Sequence, residues 1–401
     1  MSDDGILTAD SSSSIRWSAR DRLSLGSLSV TTFALVFSEF LPAGLLTPMA
    51  AGFGISEGLA GQTVTATAVT GAITALLIGL VIGRIDRKSV MLFLCALVVV
   101  SNVLAALAPN FAVLIVARLL VGAAIGGFWA LAAAIVARIV SLASIGKGMG
   151  IIFVGVSLAT ICAPPLGALI ADAVGWRAAF GVSALIGVLA FILDAVTLPR
   201  LPASDPLRLR TLAEMAGRPM VLVGLVAVVA IAGGHFAGFT YIRPILESDA
   251  QLPATLVAIV LLAFGIANFA GNLAGGAIVD RNLRLGLGGT GVLLGLSALA
   301  IWAFGSQPVT AIVCVAIWGF AFGAAPIALQ TWMAKAAPDH LEGVGGLFIA
   351  TFQVSIAVGA AVGGGVVDHF GVIAVLLVTG ILGLGAACLS SLPLHSTASG
   401  R

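Results

Sequence analysis

Twelve apolar stretches, each long enough to cross a lipid bilayer, constrain this chain more than any other feature it has. A helix needs about 20 apolar residues to span the hydrocarbon core. Windows of that kind fall at 27–50, 60–83, 89–108, 111–137, 148–172, 176–197, 219–246, 253–278, 285–306, 308–334, 343–367 and 371–393. Open strands in lipid would leave backbone groups unpaired, so the stretches are expected to be helices and the chain an all-α polytopic membrane protein. Composition agrees: 9% of the 401 residues are charged, against about 25% in a soluble domain. The 19 basic and 17 acidic residues nearly balance and are dispersed, which excludes a nucleic-acid-binding surface.

The placement of cations predicts the topology. Arg16, Arg20 and Arg22 precede span 1; Arg84, Arg87 and Lys88 follow span 2; Arg138 and Lys147 separate spans 4 and 5. Arg200, Arg208, Arg210 and Arg218 fill the central linker, Arg281 and Arg284 follow span 8, and Lys335 follows span 10. The alternate loops carry almost none, apart from Arg177. By the positive-inside rule, both termini are expected in the cytoplasm. The polar start lacks a short apolar core and cleavage site and reads as a tail rather than a signal peptide. The resulting plan is a cytoplasmic tail (1–26), a six-helix bundle (27–197), a cytoplasmic linker (198–218), a second six-helix bundle (219–393) and a cytoplasmic tail (394–401).

A repeat supports the six-and-six division. GLVIGRIDRK follows span 2 and GAIVDRNLR follows span 8, so that Gly79 and Gly276, Arg84 and Arg281, and Arg87 and Arg284 are each 197 positions apart. A duplicated six-helix unit is the plan of one large class of secondary transporters. Glycine pairs four apart (Gly79/Gly83, Gly122/Gly126, Gly271/Gly275, Gly359/Gly363) predict close helix packing. The four cysteines stand singly in apolar runs and read as packing residues. GLGGTG at 286–291 matches a dinucleotide-binding pattern, but it follows no strand and no acidic residue stands about 20 positions on. No phosphate-binding G-x-x-x-x-G-K-[ST] stretch exists, so ATP drive from this chain is not expected.

The two loops resemble the signature of the major facilitator superfamily, Gly-x-Leu-Ala-Asp-Arg-x-Gly-Arg-Arg/Lys. Gly83 and Asp86 depart from it in the first copy, while Asp280 is kept in the second. VARLLVGAAIGG (116–127) is similar to the span 4 signature, with Arg118 as its arginine, and GVSLATICAPPLGA (155–168) to the span 5 signature of drug:proton antiporters, matching at Pro164 and Gly167. Segments 39–50, 54–68, 126–133 and 239–244 further resemble bacterial exporters of purine ribonucleosides within that branch. The resemblance implies a twelve-helix fold of two pseudo-symmetric bundles, in a bacterial inner membrane, with spans 1, 4, 7 and 10 lining a central cavity. The aromatic and polar residues of those spans then become substrate-binding candidates: Phe128, Trp129, His235, Phe239, Tyr241, Trp318 and Gln330. A planar base stacks on aromatics, and amides and hydroxyls read its edge. Each aromatic also has an ordinary packing role open to it. Tyr241 and Arg243 can anchor the outer end of span 7, and His235 is either a titrating group or a hydrogen-bonded packing residue.

Glu39 stands alone as an acid deep inside a span. At about 1.5 Å per residue it lies roughly 18 Å from one boundary, and Arg118 about 10 Å from the other, so the two share a depth in a core of about 30 Å. They are the candidate proton-coupling pair; a static ion pair is the rival reading. Asp194, near the end of span 6, is expected to reach water. The threonine run of span 2 (Thr63, Thr65, Thr67, Thr70, Thr74) can bond back to its own turns.

The expected function is a monomeric proton-coupled exporter of purine ribonucleosides, needing no cofactor beyond the proton gradient and no metal. A sugar or drug exporter of the same superfamily is the alternative, and a channel or a polytopic enzyme is more remote. An enzyme would require clustered His, Asp, Glu or Cys at one face, and no such cluster occurs in the sequence.

Overall fold

Capping residues decide where several spans begin. In a computed structural model, residues 17–83, 85–141, 144–202, 216–338 and 341–390 are described. Span 1 (Ala19–Phe53) starts at a capping box, in which Ser18 Oγ accepts from Asp21 N–H and the Asp21 carboxylate accepts from Ser18 N–H. Side chains of Ser56, Asp86, Asn110 and Asn282 cap span 2 (Glu57–Val81), span 3 (Arg87–Ala106), span 4 (Phe111–Ile139) and span 9 (Leu283–Phe304). Pro308 opens span 10 (Pro308–Ala336), where its missing N–H costs nothing. Span 5 (Ile145–Val174), span 6 (Trp176–Thr197), span 8 (Ala254–Arg281), span 11 (Leu341–Phe370) and span 12 (Val375–Leu389, after a 3-10 turn at Val372–Ala374) complete the series with span 7.

Among the described residues, twelve helices are long and apolar enough to cross a membrane. Residues 1–16, 203–215 and 391–401, and with them most of the two expected tails and the linker, lie outside the described residues. Span 1 is already helical from Ala19, eight residues before the apolar window begins. Its 35 residues exceed the length a perpendicular crossing needs.

Span 7 departs from the sequence expectation of one helix over 219–246. It comprises Pro219–Val228, a π turn at Val229–Gly233 and Gly234–Phe239. After a break at Thr240 and Tyr241, a short helix follows at Ile242–Ser248. The cause is Pro244, which cannot donate to the Thr240 carbonyl and so interrupts the ladder one turn upstream.

Packing follows the repeat. Span 1 packs on span 5, 2 on 4 and 3 on 6; in the second half, span 7 packs on 11, 8 on 10 and 9 on 12. The Gly122/Gly126 pair shows why glycine is needed. A Cβ at either position would collide with the backbone carbonyl of Thr67 or Gly71 on span 2. The halves meet along two seams, span 2 against span 11 and span 5 against span 8. Because spans alternate in direction, the starts of spans 1, 3, 5, 7, 9 and 11 share one end of the molecule, called here the terminal end.

Candidate functional site: the cavity between the two halves

A cavity of about 420 Å3 lies between the halves. Val36, Glu39 and Phe40 of span 1, Trp129 of span 4 and Phe153, Ser157 and Thr160 of span 5 form one wall. Phe236 of span 7, Asn268 and Asn272 of span 8, and faces of spans 10 and 11 form the other. Spans 5, 8 and 11 thus contribute alongside the four expected from the resemblance. The cavity runs toward the terminal end: Met149 near the start of span 5, Gln330 and Ala334 near the end of span 10, and Gly345 near the start of span 11 line it, and Gln330 is exposed. Among the described residues, its lining contains one charged residue, Glu39.

The opposite end is closed. Arg243, buried at the break in span 7, donates to the Gly44 carbonyl of span 1 at 2.7 Å, to Asp172 of span 5 at 2.9 Å and to Glu247 at 2.7 Å. Tyr241 Oη donates to the Ala360 carbonyl of span 11 at 3.0 Å and lies 3.4 Å from the Gly58 carbonyl of span 2. Asp368 of span 11 accepts from Ser56 Oγ and Gly58 N–H. Tyr241 and Arg243 are therefore bonds between the halves, not anchors at a lipid interface. Both are buried, because the broken span 7 turns them inward against spans 1, 2 and 5.

Spans 1 and 4 are neighbours, and Glu39 and Arg118 lie close enough for each to feel the other's charge. They do not form an ion pair. Arg118 is fully buried, donating from Nε to Thr67 Oγ1 at 3.1 Å and from Nη1 to Ser38 Oγ at 3.4 Å. Ser38 Oγ in turn donates to Asn102 Oδ1 at 3.0 Å. Arg118 Nη2 and Glu39 Oε1 are buried without hydrogen-bond partners.

Of the expected substrate-binding residues, Trp129 and Gln330 line the cavity. Phe128, His235, Phe239, Tyr241 and Trp318 do not; all five are buried in the helix packing. Trp318 Nε1 donates to His235 Nδ1 at 3.0 Å, and the His235 ring stacks on Phe322, 3.4 Å between centroids. Since an indole nitrogen only donates, His235 is the neutral tautomer with its proton on Nε2. Cavity residues not among the sequence candidates include the amides Asn268, Asn272 and Gln353 and the hydroxyls Ser157 and Thr160. Their signal was present, since polar side chains in spans are functional candidates by default.

Asp194 also differs from expectation. It is fully buried, accepting from Thr31 Oγ1 at 2.7 Å and Cys95 Sγ at 3.5 Å, with Oδ1 unpartnered. Its face of span 6 looks toward spans 1 and 3 instead of the helix end. The span 2 threonines do bond back to their own turns at Thr63, Thr67 and Thr70, but Thr67 also holds Arg118.

The family model described as the Major Facilitator Superfamily matches residues 28–352. The chain belongs to the major facilitator superfamily. This makes it a membrane transporter and not an enzyme. It is similar to the purine ribonucleoside efflux pump NepI of Salmonella enteritidis, 37% identical over 348 residues, which are 87% of this chain and 88% of that one. The same pump of Salmonella typhimurium is 37% identical over 346 residues, 86% of this chain and 87% of that one. Among solved structures, a bacterial homologue of the human lysosomal transporter Spinster, inward-facing and unoccupied, superposes with a TM-score of 0.76. It is 15% identical, covering 94% of this chain and 97% of that one. The human organic anion transporter MFSD10 superposes with a TM-score of 0.64 at 18% identity, covering 93% and 99%.

The superfamily's loop residues sit at the terminal end. Arg87 Nη1 donates to the Gly83 and Ile85 carbonyls, closing the end of span 2. Asp86 accepts from Leu201 N–H, and Lys88 donates to the Ala195 and Leu198 carbonyls. These bonds tie the start of the linker to the first half. Arg84 lies outside the described residues, and Gly79 and Asp280 fall within helices where only the backbone is described. Gly276 is in span 8, Arg281 ends it and Arg284 lies in the first turn of span 9. Pro164 and Gly167 belong to the contact with span 1, where Gly44 meets the Pro164 carbonyl and Gly167 faces Leu41.

Proposed function

We propose that the chain is a proton-coupled exporter of purine ribonucleosides, a monomer working by alternating access in a bacterial inner membrane with both termini in the cytoplasm. One observation carries the reading: among the described residues, the cavity holds aromatic and amide side chains around a single carboxylate, opens at the terminal end and is closed at the other. With the termini cytoplasmic, this arrangement is the inward-facing state, ready to load a solute for export. Phe40, Phe153, Phe236 and Trp129 offer faces to a planar base, and the amides offer donors and acceptors to its edge.

Glu39 is the proton carrier in this reading. A buried carboxylate changes proton affinity when its access to water changes. Rocking of the two halves alters span 1 relative to the second half, and the cavity's water with it. Protonated from the outside-facing state and deprotonated inside, Glu39 drives one solute out for protons entering. The similarity to ribonucleoside efflux pumps supports the substrate.

Everted membrane vesicles test the proposal. With the interior acidified, vesicles should accumulate radiolabelled inosine, and collapse of the pH gradient should abolish that accumulation. Gradient-driven uptake of a sugar or an amphiphilic drug with no uptake of inosine would replace the substrate assignment. The apolar share of the cavity wall makes the drug the sharper competitor.

A further inference from the structure

The face that span 11 turns to the cavity is aromatic around one amide. Span 11 presents Phe348, Ile349, Phe352, Gln353 and Ile356 to the cavity, positions that share one face at helical spacing. Gln353 is the polar member of that face. It is 5% exposed, and its Nε2 is buried with no hydrogen-bond partner. The nitrogen stands in a notch that span 2 leaves at Gly71, where a Cβ would come within 2.5 Å of it.

An amide donor in such a place has nothing to give up. In the notch it holds no acceptor, so turning its head group costs no bond within the protein. The terminal torsion of glutamine is broad and roughly twofold, which lets the same side chain present either NH2 or C=O to the cavity. A ligand atom that pairs with it satisfies a buried polar group that is otherwise unpaired, the circumstance in which hydrogen bonds discriminate most between ligands. Phe352 lies beside it, in edge contact with Phe236 (6.4 Å between centroids) and tilted contact with Phe348 (5.7 Å). The first-half wall is different in kind, with Glu39, Ser157 and Thr160 suited to hydroxyl groups.

We infer that Gln353 is a specificity-determining residue, donating a hydrogen bond to the ring carbonyl of a 6-oxopurine whose base lies against the aromatic wall of the second half and whose ribose faces Glu39, Ser157 and Thr160. The inference rests on the nucleoside reading above and adds the base's orientation and the group that is recognised. Oxopurine nucleosides are preferred over purine nucleosides that lack the carbonyl.

The test is competition in everted vesicles between inosine and purine riboside, which differ at the 6-oxo group. Wild type should favour inosine. Gln353→Met, which keeps length and removes the donor, should weaken inosine about tenfold, equivalent to about 1.4 kcal/mol, and leave purine riboside within about twofold. Gln353→Glu, which keeps shape and replaces NH2 by oxygen, should lose the same preference, and it decides the matter if the methionine variant does not fold. Equal weakening of both nucleosides, or no change in either, would show a packing role and overturn the assignment. Wild-type vesicles that move neither nucleoside but do move another solute would overturn the nucleoside reading itself, an outcome visible before any variant is made.

Discussion

Glu39 and Arg118 sit on adjacent spans and interact through charge, yet no ion pair joins them, and each keeps one buried polar atom without a partner. A static pair that merely locked two helices would close those bonds. Arg118 is instead held from behind by Thr67 and Ser38, while Glu39 faces the cavity. Replacing the carboxylate should therefore uncouple transport without unfolding the protein. Glu39→Gln should retain exchange of labelled for unlabelled solute, and lose gradient-driven accumulation by about tenfold or more, within the usual range of coupling energies. In wild type, solute binding should strengthen as pH rises and Glu39 gives up its proton; in Glu39→Gln it should be flat. Titration of solute binding across pH in detergent checks this. An unchanged pH profile in the glutamine variant would assign the coupling elsewhere.

Arg243 joins span 7 to spans 1 and 5 at the closed end through Gly44 and Asp172, so it opposes opening there. Asp172 is partly exposed, which lowers the worth of that bond; the one to the Gly44 carbonyl is buried. Arg243→Ala should raise the population open at that end by about tenfold, equivalent to about 1.4 kcal/mol. Spin labels at exposed Ala51 and Ser306, in a background without the native cysteines, report the change as a longer distance distribution. An unaltered distribution would show that Tyr241 and Asp368 suffice to hold the end shut.

The fold was legible because hydrophobic length and charge placement are one-dimensional signals. Span 6 occupies the residues its apolar window covers, Trp176–Thr197, and depth arithmetic along two helices was enough to bring Glu39 near Arg118. The break in span 7 was readable in Pro244 but hidden by a continuous apolar run. Rotation about each helix axis was far less legible. Phe128 and Trp129 are neighbours in sequence and about 100° apart on the helix, so one is buried in the first half and the other lines the cavity. The amides of spans 8 and 11 lie outside the four spans that the family resemblance implies for the cavity, while their polarity within apolar spans points to them directly. His235 drew attention as a titratable group, and its pairing with Trp318 depends on contacts between spans 7 and 10 that no periodicity reveals.

Close approach of spans 2 and 4 makes a different prediction, on stability. Gly126 stands against the Gly71 backbone, so any side chain there must push two helices apart. Gly126→Val should destabilise the protein by about 1–3 kcal/mol, the common cost of overpacking, and lower its melting temperature in detergent. Gly150, around which no atom would meet an added Cβ, is the control: Gly150→Ala should leave the melting temperature unchanged or slightly higher, since alanine favours the helix. A Gly126→Val protein as stable as wild type would mean that the two spans pack less tightly than they stand here.

The contrast between Phe128 and Trp129 separates packing from recognition within one pair of adjacent residues. Phe128 is fully buried, in edge contact with Trp129 at 5.5 Å, and belongs to the core of the first half. Phe128→Ala should cost about 3–5 kcal/mol of stability, as large core aromatics do, and the folded fraction should keep its apparent affinity for inosine. Trp129 lines the cavity and contacts Phe153 at 5.6 Å with a tilt of 34°, leaving it placed to meet a base. Trp129→Ala should weaken inosine several-fold, in keeping with about 0.5–1.5 kcal/mol for an aromatic contact, with a smaller loss of stability. Thermal melts and uptake kinetics on the same two preparations decide it: if Phe128→Ala changes affinity and Trp129→Ala does not, the face of span 4 that meets the solute is the opposite one.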